Sequence, residues 1–157
     1  MHAIIPPIWS LSARATAMSV KFDDLQLAVD FVSFGGLGEN RAILDTQTGR
    51  FYWHSEFGDN LEEDELPEDL DEERYLAVPH KKELNLGTAL VFDFVREFLP
   101  DDYDEVRDIF RRRGAYGRFK AMLVRRRALD RWHDFSAKAE EAALRAWCAD
   151  NAIELVD

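Results

Sequence analysis

A run of basic residues is the part of the sequence whose side chains could most directly do chemistry. It reads RRRGAYGRFKAMLVRRR and spans residues 111–127. A guanidinium group presents its N–H donors in a planar fork, which matches the oxygens of a carboxylate or a phosphate. The run therefore predicts a site that binds an anion or an acidic partner. Its candidate residues are Arg111, Arg112, Arg113, Arg118, Lys120, Arg125 and Arg127.

Charge is strongly separated along the chain. Residues 111–131, which we call the arginine strip, hold nine bases and one acid, although the whole chain has a formal net charge of -11. The remaining residues therefore carry a net charge of -19. That charge disfavours general attraction to nucleic acid or to an anionic membrane, but it is compatible with a local basic site. The plain alternative is that the strip is only a solvated face.

The acidic counterpart of the strip is a segment at residues 56–73, which holds eleven acids and no base. Self-repulsion and few apolar side chains predict a solvated loop or a short frayed helix, which we call the acidic loop. We expect this loop to balance the arginine strip, within one molecule or across an interface, because a flexible acidic chain can lie along it. Its candidate residues are Glu62, Glu63, Asp64, Glu65, Glu68 and Asp69.

The sequence offers no pattern for catalysis or metal binding. The four histidines are scattered without an HxxxH or HExxH pair, and none of the six serines lies in a G-x-S-x-G motif. The lone cysteine, Cys148, is expected to be a small core residue, and it cannot form an internal disulfide, which fits a reducing cytoplasm. We therefore expect no catalytic residue, no metal ion and no cofactor.

Apolar periodicity identifies the elements that must position the strip. Spacings of three and four residues predict helices, and a turn ending in Gly49 predicts a hairpin between two short strands. Asp102 and Glu105 have the spacing of a capping box at the start of one helix. The expected helices cover about 21–34, a segment from Leu86 that Pro100 ends, a segment after Asp101 or Asp102 that Gly114 breaks, a segment from Ala115 through Leu123, and about 130–150. The expected strands cover about 41–46, 50–55 and 75–78. The terminal IELV segment is a candidate fourth strand.

These elements predict an α+β fold in which a small antiparallel sheet of three or four strands packs against four or five helices, mainly C-terminal. Residues 18–157 are expected to form a single domain with the acidic loop, and residues 1–17 a leader or disordered tail. Phe94, Phe119 and Trp132 are expected to be buried, and Tyr116 is expected to pack inward beside Gly114, which breaks the helical pattern.

Several segments together resemble a known family. They are LDTQTGRFYWHS, the acidic stretch leading into ERYLAVP, RRRGAYGRFKAML, and RWHDF followed by AWCADNAIEL. In order and spacing, over about residues 20–156, this combination resembles the bacterial uncharacterised protein family 0158. The positions that carry the resemblance are Tyr75, Pro79, Gly114, Ala115, Tyr116, Phe119, Trp147, Asn151, Ile153 and Glu154. The resemblance implies a bacterial source and a shared fold, and it assigns no catalytic residues.

The preferred function is a non-enzymatic, cytoplasmic interaction module that uses the arginine strip and the acidic loop. Its partner is an unknown protein or a second copy of the chain. One alternative is a nucleic-acid-binding protein that uses the basic residues of 111–131, and another is an enzyme of unrecognised type. No membrane partner is expected, because no apolar run approaches the roughly 20 residues that a membrane-spanning helix needs.

Overall fold

The computed structural model of the 157-residue chain describes residues 19–56, 71 and 73–157. The chain divides into two compact units. The first comprises the chain up to His80 together with Leu144–Asp157, and the second comprises Lys81–Ala143. Residues 1–17 and Glu62–Asp69, which carry the predictions of a leader and of acidic-loop contacts, lie outside the described residues.

The described residues form five α-helices and five strands. In the first unit these are β1 (Ser19–Lys21), α1 (Phe22–Ser33), β2 (Asn40–Asp45), β3 (Phe51–Ser55), β4 (Tyr75–Ala77) and β5 (Glu154–Val156). In the second unit they are α2 (Thr88–Phe98), α3 (Tyr103–Ile109) and α4 (Ala115–Arg125). The last helix, α5 (Leu129–Asp150), begins in the second unit and ends in the first. Short 3-10 turns cover Lys81–Leu84 and Pro100–Asp102. The predicted α+β fold with mainly C-terminal helices is confirmed.

The antiparallel sheet of the first unit has the strand order β3-β2-β4. Its central strand β2 is the most buried of the three, and its apolar residues Ala42, Ile43 and Leu44 lie in the core. The turn between β2 and β3 is the predicted hairpin. Gly49 adopts a left-handed φ of 80°, and its N–H donates to the carbonyl of Asp45 at 2.8 Å. Glycine reaches this conformation without the steric penalty of a Cβ atom, so the hairpin follows from the local sequence.

The predicted fourth strand forms, but it joins a different sheet. β5 pairs in parallel with β1, and Val20 lies opposite Leu155. The antiparallel sheet therefore keeps three strands among the described residues. Ile153, which is buried, donates its N–H to the carbonyl of Cys148 at 2.8 Å, and this bond closes the end of α5 and directs the chain into β5. Three residues of β1 are too few to show an alternating pattern, so no local pattern in the sequence indicates this pairing.

The second unit is built around aromatic side chains. Phe94, Phe119 and Trp132 are buried as predicted, and the Trp132 ring packs edge-on against the other two with centroid distances of 5.3 Å. Edge-to-face packing at this distance stabilises aromatic pairs beyond the area they bury. The hydrophobic core around these three rings also contains the buried residues Leu90, Val91, Val95, Val106, Met122, Leu123 and Ala128.

Tyr116 departs from the prediction. Its ring contacts Phe110 edge-on at 5.1 Å, yet 44% of the residue is exposed. On α4 the buried positions Phe119, Met122 and Leu123 define the inward face. Tyr116 lies at the edge of that face, where a large ring packs on one side and meets water on the other.

None of the helices in the part of the chain that the structure describes is both long and apolar enough to cross a membrane.

Candidate anion-binding site

The arginine strip is positioned by two helices and the turn between them. α3 ends at Ile109, the chain turns through residues 110–114, and Gly114 precedes α4 with a left-handed φ of 74°. Phe119, Met122 and Leu123 anchor α4 in the core at spacings of three and one residues, so the basic positions of α4 fall on its flanks and its outer side. The strip is therefore held by buried apolar contacts and not by its own charges.

Arg118 binds backbone carbonyls. Its Nη2 donates to the carbonyl oxygen of Ile109 at 3.1 Å and to that of Arg113 at 2.9 Å. The last carbonyls of a helix have no partner within the helix, and a positive charge at that end also complements the helix dipole. Arg118 therefore closes the C-terminal end of α3, and its guanidinium is committed to the fold.

Arg126, which was not among the predicted site residues, forms the closest ion pair of the strip. Its Nη2 lies 2.8 Å from Oδ1 of Asp102 and its Nε lies 3.1 Å from Oδ2. The hydrogen bonds that Arg126 donates to Asp102 raise the pKa of Arg126. Asp102 is 14% exposed, so the pair is open to water on one side. A neighbouring pair joins Arg125 to Glu105, with 3.4 Å between Nη2 and Oε1.

The predicted capping box is wrong for the same two acids. The carboxylate of Asp102 accepts no hydrogen bond from the backbone N–H groups in the first turn of α3. Its φ of -96° and ψ of 4° place it in the preceding 3-10 turn, whereas a capping residue usually has extended backbone angles. Both Asp102 and Glu105 contact arginines of the strip, so tertiary pairing has replaced the local interaction.

Arg111 has a weaker partner. Its Nη1 lies 3.2 Å from Oδ1 of Asp108, three residues earlier, and both side chains are largely exposed. Exposed pairs of this kind contribute little to stability. Arg111, Arg118, Arg125 and Arg126 share one property, an intramolecular partner for the guanidinium, and we call them the paired set.

The ninth base of the strip, Arg131, lies over the ring of Phe98, with its guanidinium carbon 5.1 Å from the ring centroid. Four other bases differ from both Arg131 and the paired set. They are Arg112, Arg113, Lys120 and Arg127, and we call them the open set. All four are exposed, and their side chains make no ion pair or hydrogen bond with the residues that the structure describes. Val124, which is 60% exposed, lies on the same outer side of α4 as Lys120. The open set therefore offers cationic groups beside an apolar side chain, an arrangement suited to an acidic protein segment.

A second arginine site, in the first unit, was missed by sequence reasoning. Arg74 forms a bidentate ion pair with Asp45, in which Nε lies 3.1 Å from Oδ1 and Nη2 lies 2.9 Å from Oδ2. The Asp45 side chain is 1% exposed. The hydrogen bond from Arg74 lowers the pKa of Asp45 to about 2, against the opposing effect of burial. The backbone N–H of Gln47 also donates to this carboxylate, at 2.9 Å.

The Asp45–Arg74 pair fixes the chain where it leaves the acidic loop. The carbonyl of Arg74 accepts hydrogen bonds from the backbone N–H and the hydroxyl of Thr46, at 2.8 and 2.7 Å. Arg74 is also the first base after the eleven acids of residues 56–73, which is the only sequence signal for its role. The pair joins β4 to the β2–β3 hairpin, and its role is structural.

Cys148 has the properties of a core residue. It is buried, and burial raises the pKa of its thiol to about 11. The thiol is therefore protonated at neutral pH, and a protonated thiol is a poor nucleophile. Among the described residues, no group of three or more histidine, cysteine or acidic side chains is arranged to hold a metal ion.

Comparisons with known proteins found no match to this chain among protein-family models, curated proteins or solved structures. The roles assigned above accordingly rest on the geometry of the residues themselves.

Proposed function

We propose that the protein is a non-enzymatic interaction module that binds an acidic protein segment through the open set of the arginine strip. The observation that carries this proposal is the division of the strip: some of its arginines have partners within the chain, while Arg112, Arg113, Lys120 and Arg127 make no ion pair or hydrogen bond through their side chains with the described residues. A cytoplasmic location and membership of the bacterial uncharacterised protein family 0158 are parts of the same proposal.

The ligand is assigned as a protein segment and not as nucleic acid because of charge. The residues outside the strip carry a net charge of -19, which repels a long polyanion over a distance of about 8 Å, the Debye length at physiological salt. A short acidic segment can contact the four open cations without approaching the rest of the surface. Residues 56–73 of the chain itself, in the same molecule or another copy, have the required composition.

A peptide-binding experiment tests this function. The ligand is a labelled peptide of residues 56–73, and the receptor is a full chain in which the acids of residues 59–69 are replaced by their amides. This replacement removes internal competition, and it leaves Asp71 in place because its side chain accepts the N–H of Glu73 at 3.0 Å. We expect binding that weakens as salt is raised, because exposed charges are screened.

A control compares the contributions of the open set and the paired set to peptide binding. Serine at the four positions of the open set should abolish peptide binding, whereas serine at Arg111 and Arg125 should leave it close to that of the parent receptor. Equal losses in the two variants would contradict the proposal. Tighter binding of a single-stranded RNA oligomer than of the peptide by the parent protein, with a steep salt dependence, would favour the nucleic-acid alternative instead.

A further inference from the structure

The second unit, all of whose residues the structure describes, exposes two large apolar side chains. They are Tyr116, which is 44% exposed, and Val124, which is 60% exposed. Both lie on α4, and Lys120 stands midway between them. Single exposed apolar residues are common on protein surfaces, so their number alone decides nothing. Their position on either side of a base of the open set distinguishes them.

Tyr116, Lys120 and Val124 form one row along α4, which we call the apolar–basic row. Side chains four residues apart on a helix are displaced by only about 40° around its axis and by about 6 Å along it, so they are neighbours. The row begins at Tyr116, at the edge of the buried face that Phe119 and Leu123 define, and ends at Val124 on the outward side of the helix.

The paired arginines of α4 lie on its other flank. By the same helical geometry, Arg118 and Arg125 project on nearly the opposite side of the axis from Lys120. Arg118 donates to the carbonyl of Ile109, and Arg125 pairs with Glu105, so α3 occupies that flank. Lys120 makes no ion pair or hydrogen bond through its side chain with the described residues. Contacts within the second unit therefore use one flank of α4 and leave Lys120 open on the other.

The chemistry of the row favours a ligand that is both acidic and apolar. A purely ionic ligand, such as a polyphosphate, uses the ammonium group of Lys120 but leaves the two apolar side chains in water. A segment with large apolar side chains near its acids covers them as well, and removal of that surface from water adds to the affinity. The Tyr116 ring packs edge-on against Phe110 at 5.1 Å, so its orientation is supported from one side.

We infer that the apolar–basic row binds apolar side chains of the ligand, which is therefore an acidic protein segment with large apolar side chains among its acids. The inference rests on the proposed function, because it uses Lys120 of the open set, and it adds Tyr116 and Val124 as residues that determine specificity. Residues 56–73 have the composition that such a ligand needs, since their eleven acids are interrupted by large apolar residues. These are Phe57, Leu61, Leu66 and Leu70.

Two matched peptides test the inference. The first is the labelled peptide of residues 56–73, and the second, the serine peptide, keeps every acid but has serine in place of the four large apolar residues. Both are titrated into the full chain in which the acids of residues 59–69 are replaced by their amides. We expect the serine peptide to bind at least about tenfold more weakly, because it removes less apolar surface from water.

Substitutions in the receptor locate the apolar contact. Val124→Ser and Tyr116→Ser should each weaken the first peptide severalfold and leave the serine peptide unchanged, because that peptide has no large apolar side chain to bind there. Val124→Leu, which keeps an apolar side chain, should bind the first peptide like the parent receptor. Leu27→Ser, at a 62% exposed apolar position of the first unit, is the matched control and should leave the binding of both peptides unchanged.

The outcomes distinguish failure of the inference from failure of the proposed function. If neither peptide binds the parent receptor, the proposed function is wrong and the inference falls with it. If the two peptides bind equally well, or if Val124→Ser weakens both by the same factor, the inference is overturned while the acidic-segment function stands. Tighter binding of a polyphosphate of matched charge than of the first peptide would also overturn the inference, because that ligand has no apolar group.

Discussion

Two arginines of this protein each form a bidentate ion pair with an aspartate, but the two pairs differ in their exposure to water. In the first unit, the Asp45 side chain that Arg74 holds is 1% exposed. In the second unit, the Asp102 side chain that Arg126 holds is 14% exposed, and the arginine itself is 46% exposed. Water competes for a charged hydrogen bond wherever it can reach the groups, so the same contact contributes less at the surface. A bidentate contact alone does not indicate that an arginine stabilises the fold. Burial of the aspartate carboxylate that it binds does indicate this.

The comparison assigns different sources of stability to the two units. In the second unit the aromatic core holds α4, and the bases of the open set on its surface are available for other contacts. In the first unit an ion pair between the buried carboxylate of Asp45 and Arg74, whose side chain is 36% exposed, joins the hairpin to the strand that follows the acidic loop. Substitutions in the core should therefore have the largest effects on stability, and substitutions in the strip should have the smallest. Substitution of the buried carboxylate of Asp45 should have an intermediate effect.

Phe119→Ala should have the largest effect. The residue is fully buried and its ring contacts Trp132 and Phe110, so truncation removes apolar burial and leaves a cavity. We expect a loss of about 3–5 kcal/mol in the free energy of unfolding, measured by chemical denaturation. Leu27→Ala, at an exposed position, is the matched truncation and should change stability little. A loss below about 1 kcal/mol for Phe119→Ala would contradict the importance of the aromatic core.

Asp45→Asn should have an intermediate effect. The amide keeps the size of the side chain but removes the charge that Arg74 and the N–H of Gln47 recognise. Because hydrogen bonds to a buried charged group are stronger than neutral ones, we expect a loss of about 2 kcal/mol in unfolding free energy. Asp93→Asn, which alters an exposed pair with Arg96, is the control and should have a much smaller effect.

The contribution of Asp45 should also depend on pH in a defined direction. Its pKa is about 2 in the folded protein, below its ordinary value of 3.8. A carboxyl group whose pKa is lowered by folding contributes its stability above its unfolded pKa and loses it as the pH falls through its folded pKa. The difference in unfolding free energy between the parent and Asp45→Asn should therefore shrink between about pH 4 and pH 2. A difference that grows as the pH falls would contradict the assignment.

The smallest effects on stability should come from the strip. Arg126→Gln removes an ion pair that is open to water. Its loss of unfolding free energy, measured by chemical denaturation, should therefore be smaller than that of Asp45→Asn. Lys120→Ser and Arg127→Ser, from the open set, should each leave the unfolding free energy within about 0.5 kcal/mol of the parent. A larger loss at either residue would show that the open set also supports the fold.

The sequence allowed the secondary structure to be predicted more reliably than the contacts. Gly49 and the apolar spacing of α1 are local signals, and they located the hairpin and the helix within a residue or two. Pairing of β1 with β5 depends on residues more than 130 positions apart, such as Val20 and Leu155, and nothing near either strand indicates it. Asp45 and Arg74 are likewise 29 positions apart, so their burial together could not be read from either segment.

The last helix, α5, shows a different limit of prediction from sequence. The sequence predicted the extent of α5 to within a residue, but it did not show which residues of the helix are buried, and Ala142 and Ala146 are exposed. Leu144 and Cys148 are buried instead in the part of the helix that belongs to the first unit. A periodic pattern assumes that one helix serves one core, and α5 contributes residues to two compact units. In the arginine strip the run of bases was equally uniform in sequence, and only the partners in the structure divided it into two sets.

The division of the strip is the central claim, and the guanidinium signals of its arginines test it most directly. Nuclear magnetic resonance can follow each Nε–Hε group while the peptide of residues 56–73 is added to the chain with residues 59–69 neutralised. We expect the signals of Arg112, Arg113 and Arg127 to shift and to return when salt is added. The signals of Arg118 and Arg126 should stay in place, because both guanidinium groups are already bound within the chain. Arg118 donates through Nη2 to two carbonyls, and Arg126 donates through Nε and Nη2 to Asp102. Shifts of the same size in both sets, or shifts confined to Arg118 and Arg126, would contradict the account.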